Sequence, residues 1–427
     1  MIHTLNKRNE GAFFIMKFIG AKRTILVALA CIFVTTGCAE SKLGTEPSTT
    51  GQSAAEQSTQ PQATSQQATI PESVVNPSSQ ETGEATDNGN VSPAIKVKAL
   101  YLTGWTVGST AKVDHYIELA KTTEINSYVV DIKDDDGNVG YESQVPEVKE
   151  NGTWLKKYDP DKVLKAFHDN GVHVIGRIVC FKDPIYSIKR PDLAVKSTAG
   201  GLWKDRNKKT WLNPYNQDNW SYLVSIAKEA VEKGFDEIQF DYVRFPSDGK
   251  KSLMDFSGAT MEKYQAINGF LAYAKQQMPD VVISADVFAI IFESPKDTED
   301  IGQYLEYVGK DIDYISPMAY PSHYAYGQII NKVKFDAPDL EPYSVVYNTL
   351  VKGKTRLSAV SDYKAKVRPY LQDFTAAWLR PKSKYQTYGV TQVQEQIKAV
   401  YDAGYEEWIL WDPTNTYDEQ AFSKEGE

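Results

Sequence analysis

Beyond residue 94 the chain alternates between two patterns. Apolar runs of strand length, rich in Val, Ile, Tyr and Phe, give way to longer segments of amphipathic helical character. The runs fall at 98–106, 127–134, 173–181, 237–246, 282–288, 314–321, 367–374 and 406–413. The helical segments carry their own punctuation. Asp159-Pro160 supplies an N-cap and a first-turn proline for a helix over 161–170, and Gly171 follows it. Asp218 precedes a helix over 220–233, closed by Gly234; Thr391 precedes one over 392–403, closed by Gly404. Each helix leads into the next strand, as βαβ units require. Eight strands separated by helices and loops predict an α/β chain folded as a (β/α)8 TIM barrel over residues 95–420. The stretch 322–366 is expected to hold a helix or two plus loops. A doubly wound open sheet is the alternative. Against it, Leu102-Thr103-Gly104-Trp105 offers a single glycine where that fold places a Gly-rich phosphate turn.

The fourth run is the most informative. In Glu237-Ile238-Gln239-Phe240-Asp241-Tyr242-Val243-Arg244-Phe245-Pro246, a buried strand ends in charge, and Pro246 prevents further pairing. A carboxylate at the end of a parallel strand is where barrel enzymes place their chemistry. The competing reading is an aspartate paired to Arg244 or Arg177 that only fixes a loop.

The N-terminus has a different character. Lys22 and Arg23 precede an apolar run over 25–34 that is too short to span a bilayer, and Thr35-Thr36-Gly37-Cys38 follows. Residues 1–38 are therefore expected to be an export signal. A cysteine after small residues resembles the bacterial lipoprotein box, with Cys38 lipidated and anchoring the chain outside the cytoplasmic membrane; plain secretion is the alternative, because Thr35 stands where Leu is usual. Met16-Lys17 opens a more ordinary signal than Met1 does, so the true start is expected at Met16. Residues 39–94 are Ser, Thr, Gln, Glu, Gly and Pro with few large apolar side chains. They bury too little surface to fold and read as a tether with a coil span of roughly 40 Å.

Composition narrows the function. A net charge of −9 and a pI near 5.3 argue against nucleic acid as the main partner. No protein partner is indicated. The remaining cysteines, Cys31 in the signal and Cys180 in a strand, form no disulfide framework, and Cys180 is expected to be a small buried hydrophobe. No cofactor or metal is expected. No His or Cys pair has zinc spacing, and there is no G-x-S-x-G elbow. Asp134-Asp135-Asp136-Gly137 fails as an EF-hand loop: counted from Asp131 the sixth position is Asp136, and counted from Asp134 the twelfth is Val145.

What remains is a set of polar residues at strand ends. Run one ends near Trp105, and run two carries Asp131, Lys133 and Asp134. Run three contains Arg177. Run four ends with Asp241, Tyr242 and Arg244, and run five holds Asp286. Run six ends at Tyr320 with His323 just beyond, run seven holds Asp373, and run eight ends at Trp411-Asp412. In a barrel these converge on one mouth. Arg177 and Arg244 are expected to neutralise carboxylates, with contact to ligand the alternative for each. Carboxylates at an aromatic mouth point to glycosides: one protonates the leaving oxygen, and the other acts as nucleophile or as base for water. Asp241 and Asp286 come from adjacent strands, and Asp373 can join them from across the mouth.

Trp211-Leu212-Asn213-Pro214, the helix after it and the strand-four stretch from Gly234 to Pro246 resemble a family of bacterial secreted or lipoprotein barrels classed as glycoside hydrolases. Asp131-Ile132-Lys133-Asp134 and Pro317-Met318-Ala319-Tyr320-Pro321 fit the same family. The resemblance covers nearly all of residues 96–415 and extends distantly to α-amylase-like and α-galactosidase-like barrels. It implies that Asp241 is the nucleophile and, by position, that Asp286 is the acid and Asp373 a third carboxylate. The sequence departs from those relatives in two places: strand five carries Asp where they use Glu, leaving Glu293 as a fallback acid, and Gln239 replaces a basic residue two before the nucleophile. The expected function is hydrolysis of a polysaccharide, with Trp105, Asp131, Lys133, Arg177, Trp211, Asn213, Tyr242, Arg244, Tyr320, His323, Trp411 and Asp412 as candidate substrate contacts. The alternatives are a catalytically silent glycan-binding lipoprotein and a cell-envelope interaction protein on the same scaffold.

Overall fold

A computed structural model of the chain describes residues 95–422. The signal, Cys38 and the whole of the tether lie outside the described residues.

Eight parallel strands close into a barrel: β1 (Lys98–Leu102), β2 (Ser127–Lys133), β3 (His173–Val179), β4 (Glu237–Asp241), β5 (Val282–Phe288), β6 (Tyr314–Met318), β7 (Tyr370–Gln372) and β8 (Trp408–Trp411). Each pairs with the next, and β8 returns to β1. A two-residue strand, Lys366–Val367, pairs with β6 just before β7. Pro369, which has no N–H to give a ladder, separates the two pieces. The helices α1 (Thr110–Thr122), α2 (Pro160–His168), α3 (Gln217–Lys233), α4 (Lys263–Gln277), α5 (Leu305–Val308), α6 (Pro342–Leu357) and α7 (Val390–Asp402) fall between the strands.

Alternation along the strands builds two cores. Leu100, Leu102, Tyr128, Val130, Ile132, Ile238, Phe240, Ile283, Val287 and Leu410 face outward into one large cluster with the helices. Ala99, Tyr101, Val129, Ile175, Tyr370 and Ile409 face inward into a smaller one. Gly176 sits in the outer layer because nothing larger fits; a Cβ there would lie 2.2 Å from Ile132 Cδ1. Cys180 is buried.

Six strands start where their apolar runs begin, β7 and β8 start at Tyr370 and Trp408 inside theirs, and every strand but β5 stops before its run does. β4 ends at Asp241 because Tyr242 takes φ 48°, which turns the chain out of the sheet. Two helices begin earlier than their expected start. Asn216, whose side chain accepts from the Asp218 N–H at 2.9 Å, caps α3, and Gly389 caps α7. Asp159 caps α2 as the sequence indicates. Between β6 and β7, α6 is preceded by a small hairpin, Gln328–Ile330 with Val333–Phe335. Its two-residue turn, Asn331-Lys332, has positive φ at both positions.

Candidate active site

Toward the ends of β2 to β5 the inward positions turn polar, with Asp131, Arg177, Asp241 and Asp286. Register sets Asp131 beside Arg177 and Arg177 beside Gln239. One rung further on, Asp241 follows the Phe240–Ala285 pair and Asp286 follows it on β5, so the two aspartates are next neighbours across adjacent strands, with backbones about 5 Å apart. Asp286 is in turn registered with Ser316.

Arg177 organises this layer. Its Nε and Nη2 donate to Asp241 Oδ2 at 3.0 and 2.6 Å. Its Nη1 donates to Asp131 Oδ1 at 2.7 Å, and Nη2 also reaches Asp135 at 3.3 Å. The Tyr101 hydroxyl donates to the other Asp131 oxygen at 2.7 Å, and its ring lies under the guanidinium at 5.4 Å. Asp241 Oδ1 accepts from the Tyr242 N–H at 2.5 Å, so both oxygens of Asp241 are acceptors, as suits an ionised carboxylate. A basic residue beside Asp241 is thus supplied by β3. Gln239 itself accepts from the Tyr370 hydroxyl at 2.6 Å across the barrel.

Asp286 lives in a different environment. It is buried, and its Oδ1 has no hydrogen-bond partner among the described residues. Burial, reinforced by the charge of Asp241, pushes its carboxyl well above the ordinary range. Burial also lifts Asp131, to about 6, against the pull of Arg177 and Tyr101. Two neighbouring carboxylates with environments this unlike are what acid–base chemistry at a bond between sugars requires.

The other expected residues divide. Asp373 lies apart from the pair: its Oδ2 accepts from the Asp418 N–H at 3.2 Å, and its charged neighbours are Asp418 and Asp412. Asp412 organises the loop after β8, its Oδ1 accepting from the N–H groups of Thr414 and Thr416 at 2.7 and 3.2 Å. Lys133 is fully buried, paired with Asp183 at 3.0 Å and bonded to the Val179 carbonyl at 2.7 Å, and does not reach the mouth. Asn213 holds its own turn, accepting from the Tyr215 N–H at 3.1 Å. Glu293 accepts from the Asn331 N–H at 2.9 Å in the hairpin turn. Arg244 departs from expectation. Unlike Arg177 it forms no ion pair with a carboxylate among the described residues, feeling the charges of Asp241, Asp248 and Asp135 without such a contact, and it lies instead against Trp211, Tyr242 and Phe288. Asp134, Asp135 and Asp136 are each bonded to a lysine or arginine.

An aromatic wall rises from the ends of β6 to β8. Tyr320 stacks on Trp411 with centroids 5.6 Å apart, Phe374 packs edge-on to both, and His323 meets Tyr320 at 5.3 Å. Trp105, on a short helical turn after β1, is 58% exposed. Trp378 is 57% exposed, and its ring is stacked on Phe374 at 5.7 Å. Sequence reasoning missed Trp378 and Tyr101, and left Asp135, in the acidic run, and Lys182, at the end of the third run, out of the site. A tryptophan in a loop outside any periodic segment was the available signal for the first; the others depend on the fold to bring them in.

The closed parallel barrel and its polar, aromatic mouth are those of glycoside-hydrolase-like (β/α)8 proteins. Residues 99–417 match the family model described as a "putative glycosyl hydrolase domain", and the chain belongs to that family. A hypothetical protein from Ruminiclostridium thermocellum ATCC 27405 is 64% identical, covering 44% of this chain and 97% of its own, with a TM-score of 0.42. The glycoside hydrolase domain of PgaB (BpsB) from Bordetella bronchiseptica is 12% identical, with 78% of this chain and 100% of that one covered and a TM-score of 0.57, a likeness of fold. The spore cortex-lytic enzyme SleL from Bacillus megaterium QM B1551 is 11% identical, with 77% and 73% covered and a TM-score of 0.45. No protein of curated function matches the chain.

Proposed function

We propose that the barrel hydrolyses glycosidic bonds in a polysaccharide, with Asp241 as nucleophile or base and Asp286 as general acid. The observation that carries this reading is the contrast between two neighbouring strand-end carboxylates. Asp241 accepts hydrogen bonds on both oxygens, while Asp286 is buried with one oxygen unpartnered and its carboxyl pushed well up. The upward push favours the protonated form of Asp286, the form that can give a proton to the leaving oxygen. The aromatic wall and the exposed Trp105 and Trp378 supply flat apolar faces for sugar rings.

The test is sugar release from a panel of bacterial and plant polysaccharides by the wild type, Asp241→Asn and Asp286→Asn. Release by the wild type that falls at least about a hundredfold in each variant, with melting temperatures held, supports the assignment. Release by none of them alongside retained glycan binding would transfer the barrel to the silent binding class.

The same proposal places this chemistry outside the cytoplasmic membrane, on a tether lipidated at Cys38. Its support is the basic, apolar and small-residue succession before that cysteine. Cys38→Ser should then release the protein from the membrane fraction; an unchanged distribution speaks for another mode of attachment or for plain secretion.

A further inference from the structure

Arg244 stands three residues beyond Asp241, where the chain leaves β4, and is only 7% exposed. Its guanidinium carbon lies 5.2, 4.9 and 4.5 Å from the ring centroids of Trp211, Tyr242 and Phe288. Phe288 is two residues beyond Asp286 on β5, so it shares the inner side of the barrel with that carboxyl, nearer the mouth. Arg244 therefore overlooks the Asp241–Asp286 pair.

The guanidinium is half used. Nη1 donates to the Phe245 carbonyl at 3.0 Å and to Ser247 Oγ at 3.3 Å. Nε and Nη2 donate to nothing among the described residues, and no Asp or Glu there forms an ion pair with this side chain. Buried cations are normally paired, as Arg177 is with Asp131 and Asp241. The three ring faces offset part of the cost of burying Arg244 by cation–π attraction. What is left open is one planar edge carrying two parallel donors, the geometry that matches a carboxylate side-on. A carboxylate from the chain would have filled it easily, for the protein carries 56 Asp and Glu residues.

We infer that Arg244 is the recognition residue for a carboxylate on the glycan, held by Nε and Nη2 in the subsite beside Asp241. The substrate class is then an acidic polysaccharide, built on uronic acid or on a lactyl-ether amino sugar of the muramic type. This rests on the glycan reading above and adds charge selectivity to it.

The experiment compares oligosaccharides of galacturonic, glucuronic and muramic acid, each beside its carboxyl-reduced neutral form, by calorimetry and by the fluorescence of Trp211 next to the site. In at least one pair, wild-type protein should bind the acidic form about tenfold or more tighter than the neutral form, as a charged, bidentate contact gives. Arg244→Gln should bring the two within about twofold, and Arg244→Lys, which keeps the charge and loses the fork, should fall between. Equal binding of both forms by the wild type, or a folded Arg244→Gln that keeps the preference, overturns the inference. That wild-type comparison stands even where a variant fails to fold. Acid-selective binding without sugar release leaves this subsite standing and defeats the hydrolase reading. Release from neutral chains with no charge preference does the reverse.

Discussion

Two of the buried arginines of the barrel, Arg368 and Arg177, look alike and differ in consequence. Arg368, just before β7, is fully buried toward the start of the strands. It pairs with Glu237, which also accepts from Ser284 Oγ at 2.5 Å, and lies 4.2 Å from the Tyr314 ring. Arg177 is near the other end and joins Asp131, Asp135 and Asp241. Both solve the problem of a polar barrel interior by ion pairing. The lower pair is sealed, and everything it touches is protein. The upper one has an opening at the ends of the strands, where half-exposed Asp135 and partly exposed Tyr242 meet solvent. In this architecture the amino-terminal side serves stability and the carboxyl-terminal side serves chemistry. The lesson is that burial and charge do not by themselves mark a site; the end of the barrel on which they occur does.

The strongest way to break this contrast is to remove each cation. Arg368→Met should strand Glu237 as a buried, unpaired charge and cost about 3–5 kcal/mol. A melting temperature lower by roughly 6–15 °C follows, and pairing the change with Glu237→Met should recover much of it. Arg177→Met should lose less stability, because Asp131 and Asp241 lie nearer the mouth, and should lower sugar release about a hundredfold or more. Equal destabilisation by the two changes, with no further loss of activity from the second, would erase the distinction between the ends.

The sequence made the barrel legible because each strand lies within an apolar run, and six of the eight begin at the run's first residue, as at Lys98, Ser127, His173 and Val282. Where strands stop was less legible, since a single left-handed residue such as Tyr242 ends pairing inside an apolar stretch. The hairpin before α6 was hidden for a related reason: its turn is Asn331-Lys332, without the glycine that usually announces such a turn. In the site, the strand-end aspartates could be read directly. Their partners could not. Arg177 and Arg244 look equivalent along the chain, yet interstrand register gives one of them two carboxylates and leaves the other facing three rings. Asp135 and Lys182 enter from loops, whose paths no periodicity specifies.

Asp373 sharpens the comparison from the opposite side, because it is a buried carboxyl with no ion-paired cation among the described residues. Its charged neighbours are the acids Asp418 and Asp412, and burial first, then those charges, push it up to about 8 despite the Asp418 N–H. The sign of the consequence follows from proton counting. Below about pH 4 folded and unfolded chains both hold this proton. Between about pH 4 and 8 the unfolded chain has released it while the folded chain keeps it, so stability falls as pH rises, levelling off above the folded value. Asp373→Asn keeps the acceptor for the Asp418 N–H and cannot ionise. Melting curves taken from pH 5 to 8.5 should therefore decline less steeply for Asp373→Asn than for the wild type, the two separating most at the alkaline end. Parallel curves would mean that Asp373 is as well compensated as Asp241, and that the lack of an arginine in this corner of the mouth has no energetic consequence.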